Sequence, residues 1–463
     1  MILKNLLLAF QLENYKNKRF LKFVYSHPKF WFFGSKRQSL IWTAKAKLLF
    51  LLSGLLLIVS LYISFLVLRL STLAILCDIL IIIFIPFIFV CCNILITPLD
   101  TYLKSRIISK AQAKIRSLKN LKIIAITGSY GKTSTREILT TLLSEKFIVV
   151  SPEGNKNTPL WVSETILNKL SDVSDIFIVE MWAYQKGDIQ ELCHLVPPDV
   201  SILTWITMQH LERFWNIETI QDTKFEILEC LKKGGIWIID ISGKWTQEAY
   251  ERKKKMLQEQ ETILISKPEN YTYLEKFNGM VFSLNEEKYT TKLIAPHAIN
   301  TIKIAVECAK KLWLTQNEIK KWIEKIDYIS HRMEVIHTPR WVTVIDDSYN
   351  GNIEWIQSII ELLEKTPFTG RKVIVAGGVV ELWASLKEVN QKIGADFAKV
   401  ADLVLIAKWP IGESIVKWLI LAGFEQSNIK IYPHTLDIHK DLPNVILPWD
   451  VVVFQNDLPD TYL

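Results

Sequence analysis

The sequence predicts an α/β protein that follows a two-span transmembrane helical anchor. Three observations carry that reading. A glycine-rich turn, Gly128-Ser129-Tyr130-Gly131-Lys132-Thr133-Ser134-Thr135, separates an apolar strand from a helical segment. Short apolar strands alternate with helical patterns from about residue 121 onward, and two long apolar runs precede them. Such alternation argues for parallel sheets with helices on both faces. We read a central P-loop domain over 122–328 and a Rossmann-like domain over 329–463.

The anchor comes first in the chain. Leu48 to Leu68 is an uncharged apolar run of 21 residues, long enough to cross a bilayer. A second run, Leu73 to Ile96, contains Asp78 and Pro86; Asp78 lies near its start, where an interfacial position is tolerated. A buried hairpin of core helices is the alternative. Residues 1–47 form a basic juxtamembrane segment, 48–97 the two transmembrane helices, and 98–121 a basic linker helix. Ten Lys and Arg lie in residues 1–47 and seven in 104–122, but the link between the spans carries only Arg69. The positive-inside rule places both flanks in the cytoplasm, and with them the domains that follow, bound to the cell's inner (cytoplasmic) membrane.

Charge is uneven. Residues 1–122 hold 18 Lys and Arg against three Asp and Glu, whereas the remainder is net acidic. A basic end on an acidic body suits nucleic acid or anionic lipid. The apolar runs decide for membrane lipids, and no nucleic acid is expected. The segment Met1 to Arg37, with aromatic residues among lysines, reads as a surface-lying segment or a solvated tail. Six cysteines form no C-x-x-C or His/Cys cluster, so neither a disulfide framework nor a zinc site is expected.

Along the body, Lys122–Thr127, Asp175–Met181, Val200–Ile206 and Gly235–Ile241 read as strands. So do Val342–Ile345, Lys372–Ala376, Leu403–Ile406 and Val451–Phe454. Thr135–Leu143 and Lys303–Leu314 read as helices, and the charged stretch Glu248–Glu261 as an exposed one.

The turn at Gly128 carries the chemistry. A loop between strand and helix closes backbone N–H groups around phosphates, and the helix N-terminus adds a positive dipole end. Gly128, Ser129, Gly131, Lys132, Thr133 and Ser134 are the candidate phosphate cradle. Lys132 can reach the β/γ-phosphates and the Thr133 hydroxyl can ligate Mg2+. Ile126 stands where the usual longer motif has its first glycine, so the loop is the shorter G-x-x-G-K-T; an ordinary tight turn is the alternative. Glu180 ends the next apolar strand, where a carboxylate can hold Mg2+ directly or through water. His210 follows another strand and could hold a second metal, although a lone histidine is more often structural. Lys224 by itself reads as a solvated helix lysine.

Together these segments resemble the Mur ligase family, from about residue 122 to the end. The matching stretches are Ile126–Thr135, Asn157-Thr158-Pro159, Glu180-Met181, His210-Leu211-Glu212 and Lys224 with Glu226. Further on come His297 with Asn300, Arg332, Asp346-Asp347-Ser348-Tyr349-Asn350-Gly351-Asn352, and Glu381-Leu382. The Asp-Asp-Ser-Tyr-Asn-x-Asn run resembles the D-alanyl-D-alanine-adding branch. The resemblance implies a central ATP-binding domain and a C-terminal ligase domain. It also implies phosphorylation of a stem-peptide carboxylate by ATP and attack of an amine on the acyl phosphate. Lys132, Lys224 and His210 would be catalytic. Thr133, Glu180, His210 and Lys224 would hold one or two Mg2+, Lys224 as a carbamylated lysine. Asn300 would approach the adenine; Arg332, Asp347 and Asn350 would reach the nucleotide from the C-terminal domain, so that domain closure assembles the site. The partners would be a peptidoglycan precursor and an amino acid or dipeptide.

Two departures stand out. The family's UDP-binding N-terminal domain has no visible counterpart, and the apolar runs stand in its place, so we expect a lipid-linked precursor rather than a soluble UDP-sugar, a UDP-linked one being the alternative. Gly377-Gly378-Val379 replaces the Gly-Asp-Met usual in that branch. A ligase making another peptide or polymer bond, a membrane-bound P-loop ATPase switch and a catalytically dead scaffold are the alternatives.

Tryptophan is over-used. There are 16 Trp and 17 Gly, where average usage predicts roughly 32 glycines. Trp161, Trp215, Trp313, Trp341, Trp383 and Trp418 fall where the resemblance places glycine; Trp449 follows Pro448 at a predicted turn before a strand, and Trp182 follows the Glu180-Met181 pair, where backbone logic also wants glycine. We read these as UGA codons that mean glycine; a genuinely Trp-rich chain is the other reading, and interfacial belts could account for Trp31 and Trp42.

Overall fold

The computed structural model describes residues 1–34, 39–68, 80–81, 83–154, 156–208, 214, 216–257, 260–284, 286–348, 353–379 and 386–455. The chain divides into two compact units, one spanning Met1–Ser109 and one from Lys110 onward.

The first unit is helical: α1 (Ile2–Leu12), α2 (Asn17–Ser26), α3 (Lys29–Phe33), α4 (Ala44–Leu68) and α5 (Ile85–Ser117), the last running on into the second unit. Leu6, Leu7, Phe10, Phe20 and Val24 pack with Leu49, Phe89 and Cys92 into one apolar cluster. Phe10 and Phe20 stack at its centre, ring centroids 4.2 Å apart. Leu51, Leu55, Ile58 and Tyr62 of α4 stay exposed. Among the described residues, two helices are long and apolar enough to cross a membrane, Ala44–Leu66 and Ile85–Ser117. The sequence reading ended the second run at Ile96 and began a separate linker helix. One helix covers both, with Pro86 in its first turn, where a missing N–H leaves no bond unmade. Asp78 and the start of that run lie outside the described residues.

The second unit opens on a parallel six-stranded sheet, order β2-β3-β1-β4-β5-β6. Its strands are β1 (Lys122–Thr127), β2 (Val149–Val150), β3 (Ile176–Glu180), β4 (Val200–Leu203), β5 (Ile236–Asp240) and β6 (Glu261–Ile265). β1 lies between β3 and β4, with Ile126 opposite both Glu180 and Ile202. Its last five residues are all buried, as a strand covered on both faces requires. The helices of this layer are α6 (Lys132–Leu143), α7 (Pro159–Lys169), α8 (Asp188–Leu195), α9 (Ile217–Glu229) and α10 (Lys244–Lys253). The charged stretch from Glu248 is helical only to Lys253, continues as one 3-10 turn, and gives way to a strand at Glu261.

A small antiparallel sheet follows, β7 (Tyr271–Tyr273), β8 (Met280–Leu284) and β9 (Glu287–Thr291), then α11 (Pro296–Lys311) and α12 (Gln316–Ile323). α11 begins at Pro296, seven residues before the predicted Lys303, because proline suits a first helical turn. The C-terminal sheet has the order β10-β11-β15-β12-β13-β14, parallel except for β10. Its strands are β10 (Glu334–His337), β11 (Thr343–Asp347), β12 (Lys372–Ala376), β13 (Leu403–Ala407), β14 (Ile429–Tyr432) and β15 (Val451–Gln455). Its helices are α13 (Ile353–Lys365), α14 (Leu386–Val400), α15 (Pro410–Leu421) and α16 (Thr435–Val445).

α14 and α15 lie close together because Gly394 has no Cβ. One built there would sit 2.5 Å from the Ile415 carbonyl oxygen, so a backbone must shift to admit it. Gly394→Ala should therefore cost about 1–3 kcal/mol, the range for overpacking. Urea unfolding followed by far-UV circular dichroism measures it; a variant as stable as the parent would contradict this packing.

Candidate active site

The phosphate loop grows out of β1 and ends at the N-terminus of α6. Gly131 caps that helix at φ 81. Gly128 has φ 151, and a Cβ on it would lie 2.0 Å from Thr204 Oγ1. Both glycines are thus required by the backbone, as a tight phosphate-binding turn demands. Lys132 sits at the first helical position. Its Nζ donates to the carbonyls of Gly128 (2.7 Å) and Ser129 (3.1 Å), bending the side chain back over the loop. Burial pushes its pKa down to about 8, against a raising pull from Glu180.

Glu180 terminates β3, beside the loop because β3 pairs with β1. Its Oε2 accepts from the Thr133 hydroxyl at 3.1 Å. The buried guanidinium of Arg136 lies 3.6 Å from the same oxygen and donates to the Gly154 carbonyl at 2.6 Å. Lys224, on α9, is buried. Burial and the charge of Lys132 press its pKa down to about 7, while Glu226, Asp188 and Glu180 oppose the shift. Two residues on, Glu226 accepts from the backbone N–H groups of Gly187 (2.7 Å) and Gln190 (3.3 Å). It thereby ties α9 to the start of α8. The solvated-helix reading of Lys224 fails, since α9 turns that face inward against the sheet.

A second cluster gathers around the end of β5. Asn300 Nδ2 donates to both oxygens of Asp240 (3.1 and 3.2 Å). Burial raises the Asp240 carboxyl to about 6, although Ser242 and Asn300 hydrogen bonds favour its anion. The Asn300 Oδ1 atom is buried and has no hydrogen-bond partner among the described residues. A cavity of about 450 Å3 is lined among others by Ser242, which bonds Asp240, and by Gly243, Pro296, His297 and, from α13, Ser358.

The C-terminal domain closes over the loop. Arg332 is near enough to help depress the pKa of Lys132 and of His297, the latter to about 3 with burial the larger cause. Its guanidinium lies 5.6 Å from the ring centre of Trp355. Trp355 in turn meets Tyr130 of the phosphate loop edge-on, centroids 5.1 Å apart. Asp347, at the end of β11, is buried; its carboxyl is raised well above the usual carboxylate range by burial, with Arg332 pulling the other way. His210 and Asn350 lie outside the described residues, as do Tyr349, Trp215, Glu381, Leu382 and Trp383.

The structure thus brings Lys132, Thr133, Glu180 and Lys224 together at the loop and sets Asn300, Arg332 and Asp347 around it. Sequence reasoning missed Asp240 and Arg136. Asp240 carried the signal already used for Glu180, an acid closing an apolar strand. Arg136, four residues after Lys132, carried none.

Fold and site define a P-loop nucleotide-binding enzyme with a second α/β domain set against its phosphate loop. The chain belongs to the Mur ligase family. Residues 126–309 match the Mur ligase middle domain, and residues 331–454 match the Mur ligase glutamate ligase domain. It is 23% identical over 352 residues to the UDP-N-acetylmuramoyl-tripeptide–D-alanyl-D-alanine ligase of Bacillus subtilis, covering 74% of this chain and 75% of that protein. The protein of that name from Buchnera aphidicola is 28% identical, with 59% of this chain and 60% of that one covered. Among solved structures, the MurF ligase of Thermotoga maritima in complex with ADP superposes with a TM-score of 0.66 at 26% identity, over 76% of this chain and 80% of that one.

Asp240 binds its proton more tightly in the folded chain than an exposed carboxyl does. Its stabilising contribution is full below about pH 4 and is lost as the pH rises through about 6. Asp240→Asn should flatten the fall in Tm across that window, and an unchanged slope would remove Asp240 as its source.

Proposed function

We propose that this chain is an ATP-dependent amide ligase that joins D-alanyl-D-alanine to the tripeptide of a peptidoglycan precursor. The observation that carries the reading is the contact of Thr133 and Arg136 with Glu180 beside two lysines, half-buried Lys132 and buried Lys224. A transferring phosphoryl group needs this arrangement of cations and a metal-holding carboxylate.

ATP is the substrate that the loop takes. The N–H groups at Gly128–Ser134 and the start of α6 suit its phosphates. Asn300 is assigned to the adenine side of the site; its Oδ1 has no hydrogen-bond partner among the described residues and suits an amino group on the base. Thr133 and Glu180 offer oxygens of the kind Mg2+ takes, and the ion would offset phosphate charge; we assign His210 to a second ion. Lys132 neutralises the group in transfer. Arg332, Asp347 and Asn350 act from the C-terminal domain.

Lys224 supports a further step. At a pKa of about 7 its amine is substantially neutral near physiological pH. A neutral amine adds to CO2, forming an N–C bond and releasing one proton. The carbamate so formed is an anion, which suits a site already holding Lys132 and Arg136.

The N-terminal helices are proposed to hold the enzyme on the cytoplasmic face of the membrane, with Ala44–Leu66 and Ile85–Ser117 crossing it. The acceptor is proposed to be UDP-linked, in line with the relatives' names. The apolar helices favour a lipid-linked acceptor as the second reading.

Phosphate release from ATP should require both a muramoyl-tripeptide acceptor and D-alanyl-D-alanine. Comparing UDP-linked with lipid-linked acceptors chooses between carriers, and release without either substrate would refute the ligase reading. Lys132→Ala should lower turnover by on the order of 1,000-fold. Lys224→Ala should lower it by about 100-fold and be partly rescued by short carboxylic acids supplying the missing anion. Failure of rescue in a folded variant would refute the carbamate.

A further inference from the structure

Three tryptophans occupy backbone positions built for glycine. The first ends α11. The Trp313 N–H donates to the Lys310 carbonyl (3.1 Å) and the Leu314 N–H to the Ala309 carbonyl (3.1 Å). This pair of bonds is the Schellman ending, whose first residue past the cap takes the left-handed conformation and is usually glycine. Trp313 is that residue, at φ 65. α15 ends in the same way: Gly423 N–H to Ile420 (3.0 Å) and Phe424 N–H to Leu419 (3.0 Å). There the residue is glycine, at φ 87.

The second lies in the hairpin between β10 and β11. The Thr338 N–H donates to Val342 (2.9 Å) and the Trp341 N–H to Thr338 (3.1 Å), enclosing the loop Pro339-Arg340-Trp341. The last residue of such a three-residue loop forms a bulge in the left-handed region, where glycine belongs. Trp341 has φ 63. The third lies in the turn Leu447-Pro448-Trp449-Asp450, closed by the Asp450 N–H on the Leu447 carbonyl (3.2 Å). Proline second and φ 73 third mark a type II turn, which calls for glycine at that third place.

None of the three indoles is buried; they are 86%, 66% and 56% exposed. Among the described residues, the exposed rings of Trp341 and Trp449 stack on each other alone, centroids 5.0 Å apart. Trp237 shows the contrast: it is buried in β5 and its Nε1 donates to the Leu228 carbonyl at 3.1 Å, the partner a buried indole needs. Three of the ten described non-glycine residues with positive φ are Trp, against 16 Trp in 463 residues. Local chemistry therefore contradicts the fold at these sites in one consistent direction.

We propose that Trp313, Trp341 and Trp449 are glycine in the protein as its own cells make it, their UGA codons being read as glycine. The gene should carry UGA at all three positions, and UGG at them would overturn the proposal. Peptide mass spectrometry of protein purified from the source cells should find glycine at each; tryptophan there would overturn it too. In recombinant protein, the triple variant Trp313→Gly, Trp341→Gly, Trp449→Gly should raise Tm by about 5 °C, whereas Trp237→Gly should lower it. A triple variant no more stable than its parent would defeat the backbone argument.

Discussion

The site depends on one constraint: a buried carboxylate, Glu180, must be kept among buried cations without letting any of them neutralise it alone. Burying a charge is costly unless it is paired. Here Arg136 supplies the near charge at 3.6 Å and Thr133 the hydrogen bond at 3.1 Å. Lys132 and Lys224 stay close enough to feel Glu180, yet burial holds both below the usual lysine range. The fold makes this possible by placing β3 directly beside β1, so that the acid and the phosphate loop leave the same edge of one sheet. Ligands of open parallel sheets gather at that edge.

Much of this was legible in the sequence because it was periodic or punctuated. β1 and β12 span the residues their apolar runs predicted, and β13 and β15 agree to within a residue. The loop glycines could be read because positive φ leaves few alternatives. The small sheet of β7 to β9 was not legible: its strands are short, only β8 is apolar, and their pairing is set by tertiary contacts rather than by pattern. The burial of Lys224 was equally hidden. A lysine on a helix reads as solvated until the helix is docked, and only the family resemblance singled it out. Arg136 gave no sign of its place beside Glu180, which lies 44 residues away, since its shortest ion pair is with its neighbour Glu137.

The three left-handed tryptophans show the opposite failure, a backbone more orderly than its side chains. The turn, the bulge and the helix ending are each made correctly around residues that do not suit them. Neighbouring residues such as Pro448 and Thr338 specify those turns strongly enough to impose them.

The two depressed lysines also set how the site exchanges protons with solvent. At neutral to mildly alkaline pH neither Lys132 nor Lys224 is fully charged. A polyanion arriving at the loop favours the charged ammonium of Lys132 and raises its pKa, so its binding draws protons from the buffer. In the proposed function, nucleotide affinity would thereby be linked to pH, weakening as pH climbs past about 8, and the heat of binding would carry the buffer's ionisation enthalpy. A loop that holds its lysine back on its own carbonyls would thus act as a proton acceptor as well as the proposed phosphate cradle.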